Sequence, residues 1–121
     1  MNSLIVCLPS DVTVYAVRDQ LLACGVSVDL RGGRLAVSHG ESLAWVEPDL
    51  ECELEREYEV DELALIQRLI GTWNGFVIDY RTVEVADAVA AAVCERWPCV
   101  VDDDDGFIGW GREYLERREG Q

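Results

Sequence analysis

The sequence contains no lysine, and its only histidine is His39. All ten basic side chains are therefore arginines, set against 24 aspartates and glutamates, which gives a formal net charge of −14 over 121 residues. Charge of this sign repels nucleic acid and anionic membranes, whereas it attracts basic protein surfaces and accelerates encounter with them. We therefore expect a basic protein as partner, and neither nucleic acid nor a membrane. Solubility alone is an equally open explanation of the charge.

Motifs for metal binding and catalysis are also lacking. The cysteines are odd in number and irregularly spaced without a Cys-x-x-Cys pair, which disfavours a zinc site. No glycine-rich phosphate loop opens a helix, and nothing ties a cysteine to His39 as nucleophilic catalysis requires. We assign no catalytic residue, metal or cofactor and expect a binding protein that is not an enzyme. Most of the cysteines lie in apolar stretches and are expected to be reduced core thiols, which further predicts a cytoplasmic location. The five cysteines are Cys7, Cys24, Cys52, Cys94 and Cys99.

Long apolar runs are absent as well. The run within residues 1–9 is short and lacks a preceding positive charge, so it does not resemble a signal peptide. A later run, residues 85–94, is mostly alanine and is interrupted by Asp87. We therefore expect no transmembrane segment.

Hydrophobic periodicity predicts one domain over residues 1–121. The expected order of elements is β-α-β-β-β-α-β-α-β-α, with Ser10, Asp61 and Thr82 as helix caps. A tight turn at residues 31–34, with two adjacent glycines, predicts a hairpin. Hairpins mixed with crossovers indicate an α+β fold. We expect a two-layer sandwich with helices on one face of a largely antiparallel mixed sheet.

Between residues 47 and 59, acidic residues occupy every second position. A period of two places alternate side chains on one face of a strand, so we favour a strand with an acidic stripe. The apolar residues Leu50, Leu54 and Tyr58 are also four apart, which fits a helix, and the helical alternative stays open. Pro48 indicates a bend, a turn or a sheet edge. The acids are Glu47, Asp49, Glu51, Glu53, Glu55, Glu57 and Glu59.

Four consecutive aspartates follow the last predicted strand and precede Gly106. Carboxylates are the ligands that hard cations prefer, but neither register of this segment fits the calcium-loop template. We therefore expect a solvated loop, and a loose magnesium site stays open as the alternative. Together with the alternating acids, these aspartates are the candidate partner-binding residues: Asp102, Asp103, Asp104 and Asp105.

The C-terminal part of the chain resembles a family of small bacterial proteins. The resemblance is carried by the sequence GFVIDYR at residues 75–81, an alanine-rich helix, and RWPCVVDDDDG at residues 96–106. These features are similar to acidic immunity proteins of polymorphic or contact-dependent toxin systems. The resemblance implies a protein that neutralises a cognate toxin by blocking its active site. Many such toxins are basic and act on nucleic acids or nucleotides, so the carboxylates would stand in for phosphates.

Two other functions stay open. The first is an interaction module or assembly subunit that uses an apolar edge and is unrelated to toxins; its binding would depend weakly on salt. The second is a small enzyme whose site is not recognisable in the sequence. A deep pocket holding a desolvated acid, or a pocket beside His39, would favour that function.

Overall fold

The computed structural model describes residues 2–119 as a seven-stranded sheet with five helices. The order across the sheet is β2-β3-β4-β5-β1-β6-β7, and every neighbouring pair is antiparallel. The predicted α+β class and largely antiparallel sheet are confirmed. The strands are β1 (Asn2–Pro9), β2 (Ser27–Arg31), β3 (Arg34–His39), β4 (Ser42–Pro48), β5 (Trp73–Tyr80), β6 (Val100–Asp102) and β7 (Ile108–Trp110). The helices are α1 (Val14–Ala23), α2 (Glu53–Glu57), α3 (Val60–Ile70), α4 (Val83–Arg96) and α5 (Gly111–Glu119).

The predicted domain, residues 1–121, includes positions 1, 120 and 121, which lie outside the described residues. Within residues 2–119, none of the helices combines the length and apolar character that crossing a lipid bilayer requires.

The hairpin predicted at residues 31–34 joins β2 to β3. Gly32 and Gly33 occupy the two central positions with φ of +59° and +82°. Both values lie in the left-handed region, which residues with a Cβ adopt at a cost, so the glycine pair fixes the turn and the register of the hairpin.

The helices cover both faces of the sheet, and the expectation that they would lie on one face is corrected. Leu4, Val6 and Leu8 of β1 pack into the core formed with α1 and α4. Ile5 and Cys7 point the other way and pack with Leu54 and Ile66 of α2 and α3. A strand buried on both faces has a continuous apolar run rather than an alternating one, and residues 4–8 form such a run.

The strand predicted over residues 47–59 is wrong beyond Pro48. β4 ends at Pro48, and α2 begins at Glu53 after a turn. The Asp49 carboxylate starts the helix, because its two oxygens accept hydrogen bonds from the backbone N–H groups of Glu53 (2.9 Å) and Leu54 (3.0 Å). Leu54 and Tyr58, four residues apart, then pack on the sheet. The helical alternative is therefore correct for residues 53–57.

Two predicted helix caps are corrected, and one strand was not predicted. Thr13 rather than Ser10 caps α1, accepting a 3.2 Å hydrogen bond from the Ala16 N–H. Glu59 rather than Asp61 precedes α3, where Glu59 and Glu62 form a reciprocal capping box. The unpredicted strand, β7, has only three residues, and Gly109 at its centre hides the usual strand pattern.

Candidate functional site

The two acidic segments meet in space although they are far apart in the chain. The Tyr58 hydroxyl, at the end of α2, donates a 2.6 Å hydrogen bond to Oδ2 of Asp102, across 44 positions of sequence. The other oxygen, Oδ1, accepts a 2.9 Å hydrogen bond from the backbone N–H of Asp104. Asp102 is 7% exposed, and both its oxygens have partners within the protein. Its role in the fold is therefore to anchor the α2–α3 segment to β6.

A pocket of about 360 Å³ opens at this junction. Its apolar lining comes from Ile5, Leu54 and Ile108. Four carboxylates, Tyr58 and Gly106 complete the lining, which therefore combines apolar with acidic side chains. We call this the acidic pocket; its carboxylates are Glu57, Glu62, Asp102 and Asp104.

The Tyr58 hydroxyl is held in its protonated form. Burial, followed by the hydrogen bond to Asp102, raises the pKa of Tyr58 well above its usual range. The neutral phenol can therefore act as a permanent donor to the carboxylate. The Tyr58 ring also packs edge-on against Trp73, with the ring centroids 6.3 Å apart.

The predicted acids are distributed unevenly around this pocket. Asp49 is half-buried and caps α2, so it is structural, while Glu47 lies exposed at the end of β4. Asp103 is half-buried and shapes its own loop, because Oδ1 accepts hydrogen bonds from the N–H groups of Asp105 (2.8 Å) and Phe107 (3.0 Å). Of the eleven predicted residues, Glu57, Asp102 and Asp104 line the acidic pocket.

Glu62 was missed by the sequence analysis. Its position three residues after Glu59 is the signal for a capping box, and the capping box places its side chain at the start of α3. We define the acidic surface as the acidic pocket together with the exposed carboxylates of α2, the start of α3 and the β6–β7 loop. Its residues are Glu53, Glu55, Glu57, Glu59, Asp61, Glu62, Asp102, Asp104 and Asp105.

This surface is poorly neutralised by the protein itself. Residues 41–62 contain ten acids and one arginine, a net charge of −9. That arginine, Arg56, donates a 3.0 Å hydrogen bond to the backbone oxygen of Glu51. The ion pairs found within residues 2–119 lie elsewhere, and they join Arg18 to Asp19, Arg31 to Asp29, and Arg118 to Asp87.

Metal binding or nucleophilic catalysis would need a group of histidine, cysteine or acidic side chains. Within residues 2–119, no group of three or more histidine, cysteine or acidic side chains is arranged to hold a metal ion. His39 is exposed at the end of β3. Comparison with known protein families, curated proteins and solved structures finds no match to this chain.

Proposed function

We propose that the protein binds a basic protein partner through the acidic surface, and that this partner is a cognate bacterial toxin domain whose active site it occludes. The observation that carries the proposal is the Tyr58–Asp102 hydrogen bond, because it gathers carboxylates from two distant segments around one pocket. Such a concentration of uncompensated charge steers a basic surface toward it.

The lining of the acidic pocket suits an arginine or lysine side chain of that partner. Such side chains combine an aliphatic stem with a cationic head. The stem would lie against Leu54 and Ile108, while the head would reach Glu57, Glu62 or Asp104. An arginine is favoured because its planar fork can engage a carboxylate with two hydrogen bonds.

Inhibition would follow from the chemistry of the partner's own site. Toxins that act on nucleic acids or nucleotides hold phosphates with arginine and lysine side chains. Carboxylates presented by the acidic surface would engage those cations and keep the substrate out. In this proposal the protein itself uses no metal, cofactor or catalytic residue, and neither nucleic acid nor a membrane is its partner.

A cytoplasmic location accompanies the proposal, because a toxin that attacks nucleic acids or nucleotides acts there. Its support in the structure is that the five cysteines are free thiols, which suit a reducing compartment.

Gene neighbourhood is the first test. A toxin gene beside this one would supply the partner for titration, and a neighbourhood without one would contradict the toxin part of the proposal.

The binding experiment then compares Glu57→Lys/Asp104→Lys with the control Asp11→Lys/Glu116→Lys, which reverses two exposed acids elsewhere. Both variants change the net charge equally, so long-range attraction changes by a similar amount.

We expect the acidic-pocket variant to lower the affinity at least about a hundredfold, as truncation or reversal of buried interface charges does. The control variant should weaken binding only about tenfold or less, mainly through the association rate. An equal loss in both variants would show that overall charge, and not the acidic surface, determines binding.

An interaction module unrelated to toxins is the second candidate, and one observation favours it. The face of β3 and β4 that points away from α4 carries Leu43 and Trp45. Leu43 is 69% exposed, and the Arg34 guanidinium carbon lies 4.0 Å from the centroid of the Trp45 ring. Tryptophan and arginine are enriched among the side chains that anchor partners. Binding that persists in high salt and is lost in Leu43→Asp would support this candidate over the acidic surface.

A further inference from the structure

Two of the five cysteines lie together at the end of α4. Cys94 is in the last turn of that helix, and Cys99 directly precedes β6. Both sulfur atoms lie against the backbone of Gly111, the first residue of α5. A Cβ at Gly111 would overlap Cys94 Sγ and lie 3.2 Å from Cys99 Sγ. The Gly111 N–H also donates a 2.8 Å hydrogen bond to the Cys99 carbonyl, which holds this arrangement together.

The thiol pair is accessible from outside. A pocket of about 380 Å³ is lined by both cysteines, by Trp97 and Trp110, and by the oppositely charged Arg112 and Glu113. Cys94 is half-buried, whereas Cys99 is buried. A small reagent entering this pocket therefore meets Cys94, with Cys99 behind it.

The electrostatic environment distinguishes the two thiols. Interaction with the neighbouring Cys99 thiol and the charge of Arg112 lower the pKa of Cys94, against the opposing effect of burial. Interaction with Cys94, together with burial, raises the pKa of Cys99. Because the thiolate is the nucleophilic form, Cys94 is the thiol expected to attack an oxidant first. Cys99 is then the thiol expected to attack the oxidised sulfur of Cys94.

We propose that Cys94 and Cys99 form an oxidative modification site at which hydrogen peroxide converts the two thiols to a disulfide. The Cys94 thiolate attacks one peroxide oxygen, so an S–O bond forms, the O–O bond breaks, and hydroxide leaves and is protonated to water. The Cys99 sulfur then attacks Cys94 Sγ, so the S–S bond forms and the S–O bond breaks, releasing a second water. The two sulfurs together supply the two electrons, and a thiol reductant reverses the change.

The exposed Cys24 provides an internal comparison. Partial shielding from water and a hydrogen bond from its thiol to Glu95 raise the pKa of Cys24. Exposure alone would predict that Cys24 reacts before Cys94, whereas the proposal predicts the reverse order. The order of reaction therefore separates the proposed site from simple accessibility.

The test uses the folded, full-length wild-type chain. In limiting iodoacetamide near neutral pH, peptide mass mapping should show Cys94 alkylated about tenfold faster than Cys24. With substoichiometric hydrogen peroxide, the Cys94–Cys99 disulfide should be the first oxidation product. Prior modification of Cys24 or Cys52, or the same order of reaction in the urea-unfolded chain, would overturn the proposal.

Two variants resolve the steps. Cys99→Ser should stop at the sulfenic acid of Cys94, which a cyclic 1,3-diketone captures, and Cys94→Ser should form no disulfide with Cys99. Cys52→Ser, which removes an exposed cysteine, is the matched control and should form the disulfide at the wild-type rate. A disulfide in the wild type that instead joins Cys99 to Cys7 would also overturn the assignment.

Discussion

The Tyr58 hydroxyl and the Asp102 carboxylate form a 2.6 Å hydrogen bond that joins the α2–α3 segment to β6. Tyr58 lies between the two helices, and Asp102 lies at the end of the strand. The bond therefore has two consequences, since it satisfies a buried carboxylate and it fixes the acidic pocket.

Removing the Tyr58 hydroxyl should destabilise the fold. In Tyr58→Phe, Oδ2 of the buried Asp102 loses its donor, and we expect the free energy of unfolding to fall by about 1–3 kcal/mol. Urea denaturation would measure the change. Tyr15→Phe is the control, because Tyr15 is 56% exposed, and its effect should be within about 0.5 kcal/mol. Equal stability of the two variants would contradict the importance of the bond.

Tyr58 should also make stability depend on alkaline pH. Burial and the hydrogen bond to Asp102 raise the pKa of Tyr58 in the folded protein, whereas an unfolded tyrosine ionises near 10.0. Above that pH the unfolded chain loses a proton that the folded chain keeps, so the free energy of unfolding falls as pH rises. Below that pH both states keep the Tyr58 proton, so Tyr58 adds no pH dependence to the free energy of unfolding.

The measurement is urea denaturation at a series of pH values between about 8 and 11, a range that spans the ordinary pKa of tyrosine. Cys7 and Tyr114 also have raised pKa values, so a decline is expected in every variant. The contribution of Tyr58 is the difference between wild type and Tyr58→Phe. The wild-type curve should decline more steeply, and parallel curves would contradict the assignment.

Asp49 should stabilise α2 by capping rather than by binding a partner. Asp49→Ala removes both hydrogen bonds to the backbone N–H groups of Glu53 and Leu54, and we expect a loss of about 1 kcal/mol in the free energy of unfolding. Glu51→Ala removes a neighbouring exposed acid and should change stability little. If the two substitutions had the same effect on stability, the capping role would be wrong.

Local signals were sufficient for some elements and insufficient for others. The glycine pair at residues 32 and 33 determines the β2–β3 hairpin without distant contacts, so it could be predicted. The segment after Pro48 has two compatible periods, and burial of Leu54 and Tyr58 against strands distant in sequence selects the helix. The local pattern does not contain that information, because the choice depends on which surface is available for packing.

The candidate site could likewise be predicted only in part from the sequence. Its acidity could be predicted from composition, and Glu57, Asp102 and Asp104 were among the residues proposed. Their arrangement could not be predicted, because it depends on a hydrogen bond between Tyr58 and Asp102 across 44 positions. The period of two in residues 47–59 suggested a regular stripe of charge, whereas the fold uses Asp49 as a cap and leaves Glu47 at the end of β4.

Gly75 should be required for α2 to dock on the sheet. Gly75 is buried in β5, and a Cβ at this position would overlap Leu54 Cδ1 of α2 and lie 3.2 Å from the Trp73 ring. Close approach of another residue is a reason for glycine within a strand. We expect Gly75→Ala to lower the free energy of unfolding by about 1–3 kcal/mol through overpacking.

A double-mutant cycle with Leu54→Ala tests whether the clash is the cause. Leu54→Ala alone should cost about 2–5 kcal/mol, because it leaves a cavity beneath α2. It also removes the atom that a Cβ at Gly75 would meet, so the double variant should be more stable than the sum of the two losses predicts. Urea denaturation of the four proteins measures the coupling. Additive losses would show that Gly75 is needed for a reason other than its contact with Leu54.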